Sequence, residues 1–217
     1  MTTEKQMIPD VDLVLERLRH AYPQAECSLH FANPLQLLIA TILSAQCTDE
    51  RVNRVTPALF TRYPTAADFA SAPLAEIEEA IRSTGFYRNK ARHIQGACQI
   101  IVSEFGGNVP RSMDELLRLP GVARKTANVV LGNAFGTVVG VVVDTHVGRI
   151  SRRLGFTTAQ DPVKVETDLM ELLPKEKWLD YTHQIILFGR AICKAPRARC
   201  AECFLNALCP SAEAPDA

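Results

Sequence analysis

The sequence is poor in several things, and each shortage excludes a class. Aromatic residues make up 6% of the 217 residues, with a single Trp, so there is little from which to build a broad base-stacking platform. Charge of neither sign predominates, because 24 Lys and Arg balance 24 Asp and Glu. A protein that binds nucleic acid through its overall charge is thereby excluded, and any electrostatic footprint must be local. The most apolar run near the middle, TVVGVVV at 137–143, falls far short of the roughly 20 residues that span a bilayer. The first residues, MTTEKQMIPDVDL, lack the basic start and apolar stretch of a secretory signal. A soluble, cytoplasmic protein without a membrane partner is expected. No internal repeat, low-complexity tract or Gly/Ser linker marks a domain boundary, and the clearest shift in composition falls near 136–144.

What is present is helical periodicity. Val11, Val14, Leu15 and Leu18 recur at i, i+3, i+4 and i+7. Asn33-Pro34 reads as a cap and first-turn proline leading into the apolar LQLLIATIL, which should be a buried helix. Thr48 opens a segment through Leu59 that Pro57 should weaken or kink. Leu74, Ile77 and Ile81 form another stripe. Ile94, Cys98, Ile101 and Phe105 form the next, stopped by Gly106-Gly107. Ser112 to Glu115 is a capping-box pattern for a short helix through Arg118. A turn and a helix to about Phe135 follow. Asp144 stands at an N-cap position before Val147, Ile150 and Leu154, Asp161-Pro162 starts a helix through Leu173, and Trp178 to Ile192 forms the last long one. Only TVVGVVVD resembles a strand, and it has no candidate partner. The fold class is therefore all-α. The tail SAEAPDA is expected to fray.

Seven cysteines in a chain of intracellular character argue for metal or free thiols rather than disulfides. Cys193, Cys200, Cys203 and Cys209 fall within 17 residues as C-x6-C-x2-C-x5-C, dense enough to wrap one metal centre. Tetrahedral zinc is one reading, although zinc sites usually pair two short knuckles. The single x2 gap and the Pro210 that follows the last cysteine favour a [4Fe–4S] cluster. Cys27, Cys47 and Cys98 are isolated and read as small buried hydrophobes.

The stretch LPGVARKTA at 119–127 joins a tight Pro-Gly turn to a helix start. The first N–H groups of a helix lack intrahelical partners, and the dipole there favours anions. A phosphate at that point would gain those donors and Arg124, a contact that binds DNA without reading its sequence. The competing reading is an ordinary αα-turn with solvated charges. Lys125 differs from Arg124 because a primary amine can attack a sugar carbon and form a Schiff base. It must be neutral part of the time to do so, and the helix N-terminus and Arg124 both disfavour the ammonium form. Taken alone, a surface lysine is the alternative. Asp144, at the end of the valine run, has an N-cap role by default. A carboxylate there could additionally stabilise positive charge on a sugar, or move protons. His146 beside it reads as a local packing or hydrogen-bonding residue.

The hairpin LPGVARKTA, then VVVDTH, then the terminal cysteine pattern occur in an order that closely resembles the endonuclease III family of helix–hairpin–helix DNA glycosylases/AP lyases. The resemblance spans about Pro34 to Pro210. It implies two helical domains flanking a DNA-binding cleft. One, about 27–137, is continuous and contains the hairpin; 1–26 and 138–217 form the other, with a C-terminal [4Fe–4S] cluster loop. It further implies a base-excision enzyme that removes oxidised pyrimidines by base flipping, attack of Lys125 at C1′, an imine and β-elimination. Asp144 matches the catalytic aspartate, and Cys193, Cys200, Cys203 and Cys209 match the cluster ligands. LSAQCTD nominates Gln46 to fill the gap left by the flipped nucleotide, and Asp49 to line the base pocket. TGFYRNKA nominates Phe86 as the wedge, where the family pattern leads one to expect leucine. Leu119, Gly121 and Arg124 are expected at phosphate. Arg88, Lys90 and Arg92 near the wedge, and Lys194, Arg197 and Arg199 in the cysteine loop, supply local positive charge. The implied partner is double-stranded DNA with damaged bases or abasic sites, bound by a monomer. Two other readings are an adenine-specific mismatch glycosylase, against which Lys125 argues, and a non-catalytic DNA-binding or redox-sensing module.

Overall fold

The computed structural model describes residues 9–212, so most of the tail expected to fray, and most of the leading MTTEKQMI segment, lie outside the described residues. In chain order the helices are α1 (Val11–Ala21), α2 (Pro34–Leu43), α3 (Asp49–Arg62), α4 (Ala66–Ser71), α5 (Leu74–Ala80) and α6 (Tyr87–Phe105). They continue with α7 (Met113–Leu116), α8 (Arg124–Phe135), α9 (Thr145–Arg153), α10 (Pro162–Leu172) and α11 (Trp178–Ala191). Short 3₁₀ turns occur at Arg82–Thr84, Lys175–Lys177, Cys200–Glu202 and Asn206–Leu208. Among the described residues there is no strand, and the valine run at 137–143 forms no regular element.

Local chemistry sets the helix starts. Asn33, Thr48, Ser112, Asp144 and Asp161 each accept a bond from a backbone N–H two or three residues ahead, satisfying a donor the helix cannot. Gly106 and Gly136 end α6 and α8 in the left-handed conformation that glycine adopts without steric cost. Pro57 does not break α3, which runs on to Arg62. The buried Val52, Thr56 and Leu59 hold that helix against its neighbours, and this packing outweighs the lost hydrogen bond.

The chain divides into two compact units, one of Met1–Glu26 with Gly140–Ala217 and the other of Cys27–Val139. In the second, the wholly buried Leu37, Leu38, Ile39 and Leu43 of α2 sit at the centre, with α8, α3 and α6 packed on them. In the first, α11 packs against α1 and α9, and Tyr181 is fully buried with its hydroxyl 2.8 Å from Ser151 Oγ.

Candidate active site

The turn before α8 is built by Pro120 and Gly121. Val122 N–H donates to Leu119 O at 3.1 Å, and Gly121 takes φ +78°, the geometry of a type II turn. The turn lies on α6. A β-carbon at Gly121 would stand 2.8 Å from His93 Cβ, and one at Gly96 would stand 3.3 Å from Pro120 Cγ. Two glycines therefore let the turn and α6 approach to backbone distance. Leu119 and Val122 point inward and are buried, whereas Gly121, Arg124 and Lys125 are exposed. Leu119 thus has only its main chain to offer a phosphate; its side chain belongs to the core. The N-cap of α8 is Ala123, which provides no capping side chain, and the first turn holds no acidic residue. Arg124 and Lys125 are the first two residues of this helix. An anion there would meet N–H donors, the helix dipole and two cations.

Gln46 and Phe86, nominated from two separated segments, share a rare property. Among the described residues they are the two non-glycine positions with positive φ, at 51° and 48°. Left-handed backbone costs an ordinary residue about 1–2 kcal/mol and concentrates at functional sites. Gln46 is exposed, and Phe86 is 67% exposed, an unusual position for a large apolar ring. Arg88 and Arg92 are exposed, with Arg88 over the Tyr87 ring at 5.6 Å. Lys90 is a correction: at 5% exposure it is buried, and its ammonium donates to Leu43 O at 2.8 Å and Thr84 O at 2.7 Å. It has no surface from which to meet phosphate. Asp49 is the first residue of α3, behind the Thr48 cap.

In the other unit, Asp144 caps α9, with Oδ1 accepting from Val147 N–H at 2.8 Å. The cap engages one oxygen and does not consume the second. His146 Nδ1 lies 3.3 Å from Arg149 Nη2, which also donates to Cys193 O at 2.8 Å. Arg153, one turn later, donates to Cys193 Sγ at 3.2 Å and to Lys194 O at 3.2 Å. These two arginines escaped the reading from sequence. Their i, i+4 spacing on a helix that follows the candidate aspartate is the signal that could have found them.

Cys193, Cys200, Cys203 and Cys209 line one cavity of about 120 Å³, walled by Ile150, Leu154 and Phe188. Burial pushes the Cys203 and Cys209 thiols up, and the other cysteines of the group add to it. Among the described residues, no three His, Cys, Asp or Glu side chains converge as a site for one metal ion. Four thiols bordering one cavity form a donor set that suits a thiolate-bound metal centre. Lys194, Arg197 and Arg199 are exposed, and Arg199 pairs with Glu202 at 3.6 Å. Cys98 is buried as expected, while Cys27 and Cys47 are only half-buried, Cys27 in the irregular segment between α1 and α2 and Cys47 in the bend between α2 and α3.

Residues 39–175 match the HhH-GPD superfamily base excision DNA repair protein family. Endonuclease III of Synechocystis sp. is 59% identical over 214 residues, 99% of this chain and 96% of that protein. A non-covalent endonuclease III–DNA complex superposes with TM-score 0.88 at 48% identity, covering 98% of this chain and 97% of that one. A trapped endonuclease III–DNA covalent intermediate does so with the same TM-score and identity, covering 98% of both chains. No described helix is long and apolar enough to cross a membrane. The all-helical fold, the hairpin before α8 and relatives matched over nearly their whole length agree: the chain belongs to the endonuclease III family of the HhH-GPD base excision DNA repair proteins.

Proposed function

We propose that the protein is a bifunctional DNA glycosylase/AP lyase that removes oxidised pyrimidines from duplex DNA, with Lys125 as nucleophile and Asp144 as the catalytic carboxylate. The observation that carries this reading is the start of α8, where an exposed primary amine sits one residue past an uncapped helix N-terminus. The backbone of the turn at Leu119 and Gly121, with Arg124, holds a phosphate. Gln46 and Phe86 occupy the space left when the damaged nucleotide leaves the stack, and Arg88 and Lys194 add phosphate contacts. Extrusion costs a few kcal/mol, least for a damaged or poorly stacked base.

With the nucleotide extruded, the neutral Nζ of Lys125 attacks C1′. The glycosidic bond breaks, and the base departs with its electron pair and gains a proton. The Asp144 carboxylate stabilises positive charge that develops on the sugar. The sugar ring opens to an imine between C1′ and Nζ. Loss of a C2′ proton then expels the 3′ phosphate, and water hydrolyses the imine to return Lys125. Cys193, Cys200, Cys203 and Cys209 would hold a [4Fe–4S] cluster, which supplies structural cross-linking of the C-terminal loop. The partner is double-stranded DNA carrying damaged bases or abasic sites, bound by a cytoplasmic monomer.

Borohydride trapping on abasic-site duplex tests the assignment. Wild type gives a covalent adduct, and Lys125→Ala gives none while keeping its thermal midpoint, since the side chain is exposed. Asp144→Asn slows base release by a factor of about 10²–10⁴, the range for a positioned acid–base group. An adduct from Lys125→Ala equal to that of wild type would remove Lys125 from the mechanism.

A further inference from the structure

A lysine seldom occupies a core position, and Lys90 does so on the inward stripe of α6 with Ile94, Cys98 and Ile101. Taking an ammonium out of water is costly unless its N–H groups are satisfied. The two acceptors are main-chain carbonyls from distant parts of the chain. Leu43 is the last residue of α2, three residues before Gln46, and Thr84 ends the 3₁₀ turn, two residues before Phe86. Each acceptor therefore roots one of the two loops whose backbone turns left-handed at a non-glycine residue. The loop after α2 has bonds of its own, with Cys47 N–H donating to Ser44 O at 3.1 Å, and Phe86, the N-cap of α6, supplies no side-chain cap. Strained conformations persist only where the surroundings over-determine them. The Lys90 ammonium bonds to both roots at once. Burial disfavours its charged form, an effect that the nearby Cys47 opposes.

We propose that Lys90 is a positioning residue for lesion recognition: its buried ammonium ties the loop carrying Gln46 to the loop carrying Phe86, so that both side chains enter the duplex as one preset pair. The proposal rests on the reading of Gln46 and Phe86 as the residues that replace the flipped nucleotide. Ordering a loop residue costs about 1–2 kcal/mol of backbone entropy, and loops already tied need not lose it on DNA binding. An extruded base is thereby exchanged for side chains already in place.

The test is single-turnover base excision from a duplex with one oxidised pyrimidine, with 2-aminopurine beside the lesion to report unstacking. Lys90→Met keeps the stem and removes the donors. It lowers the excision rate and the fluorescence change about tenfold or more, the effect of leaving buried carbonyls unpaired. On a duplex with a preformed abasic site, where extrusion is easier and strand cleavage is the rate followed, the loss is several-fold smaller. In a Gln46→Ala/Phe86→Ala background, Lys90→Met costs less than about twofold, because the groups through which it acts are gone. An equal loss in both backgrounds overturns the proposal, since a lysine that merely supports the fold acts regardless of those side chains. If Lys90→Met does not fold, Lys90→Arg enters the same cycle, with its displaced donors, and is judged by the same criterion. If the Gln46→Ala/Phe86→Ala protein excises as fast as wild type, the gap-filling reading itself fails, an outcome distinct from failure of the Lys90 coupling.

Discussion

Replacing Gly121 by alanine would set a methyl group where His93 already stands. The new β-carbon would lie 2.8 Å from His93 Cβ, 2.9 Å from Cγ and 3.0 Å from Nδ1. The first of these atoms is fixed to the α6 backbone and cannot swing away. Two costs add. Alanine at φ +78° suffers about 1–2 kcal/mol from the left-handed backbone. Forcing the turn off α6 adds about 1–3 kcal/mol, the usual range for overpacking. The sum, about 2–5 kcal/mol, is a large share of the roughly 5–15 kcal/mol that stabilises a protein. Urea unfolding followed by circular dichroism should show a midpoint lowered by about 1 M for a slope of about 2–3 kcal/mol/M. With the phosphate contact proposed for this turn, the slope of log affinity against log salt for undamaged duplex should also fall in magnitude by about 0.9, one contact. A His93→Gly background removes the obstructing atoms, and there Gly121→Ala should cost only the backbone term. The helix penalty of His93→Gly enters both arms and cancels. A midpoint unchanged by Gly121→Ala, or an equal cost in the His93→Gly background, would refute the close-approach argument.

The buried Cys98 thiol is pushed up to about 12 by burial alone. A raised acid contributes stability that is complete below its unfolded value of about 8.5 and is lost as pH rises toward 12, because the unfolded chain then gains charge that the folded state refuses. Stability should therefore fall by about 2 kcal/mol more between pH 8 and pH 10 in wild type than in Cys98→Ala, read from urea midpoints; parallel curves would show that the thiol does not titrate in the unfolded chain alone. Arg153→Met removes the donor to Cys193 Sγ and Lys194 O, and Cys209 Sγ lies 3.4 Å from the Arg153 carbonyl. Iron of the proposed cluster should leave this variant several-fold faster than wild type under a chelator, with helix content unchanged, and equal rates would show that the arginine does not brace the loop.

Features that depend on neighbours in the chain could be read directly from the sequence. Asn33, Thr48, Ser112, Asp144 and Asp161 cap helices because a short polar side chain reaches N–H groups two or three residues away, and nothing distant need cooperate. The Pro120-Gly121 turn and the start of α8 at Arg124 follow from the same short-range logic. The cysteine spacing is covalent information and can be read without the fold.

Other features required contacts across the chain. Lys90 continues the stripe of Ile94, Cys98, Ile101 and Phe105 back by one turn, so its burial was written in the periodicity. That a lysine would tolerate the position depended on carbonyls 6 and 47 residues away. Pro57 stays helical because its neighbours are packed, which local propensity does not register. The left-handed backbone at Gln46 and Phe86 contradicts local preference and exists because surrounding structure holds it there. The sequence by itself thus determined most of the helices and their N-caps, the hairpin and the thiol pattern through interactions within a few residues; α4, started by the Thr65–Asp68 capping box, and the run of α3 past Pro57 lay outside that reading. Only the tertiary structure decided which cation is buried, which leucine turns inward and which arginines reach Cys193, because each of these depends on a partner brought close by folding.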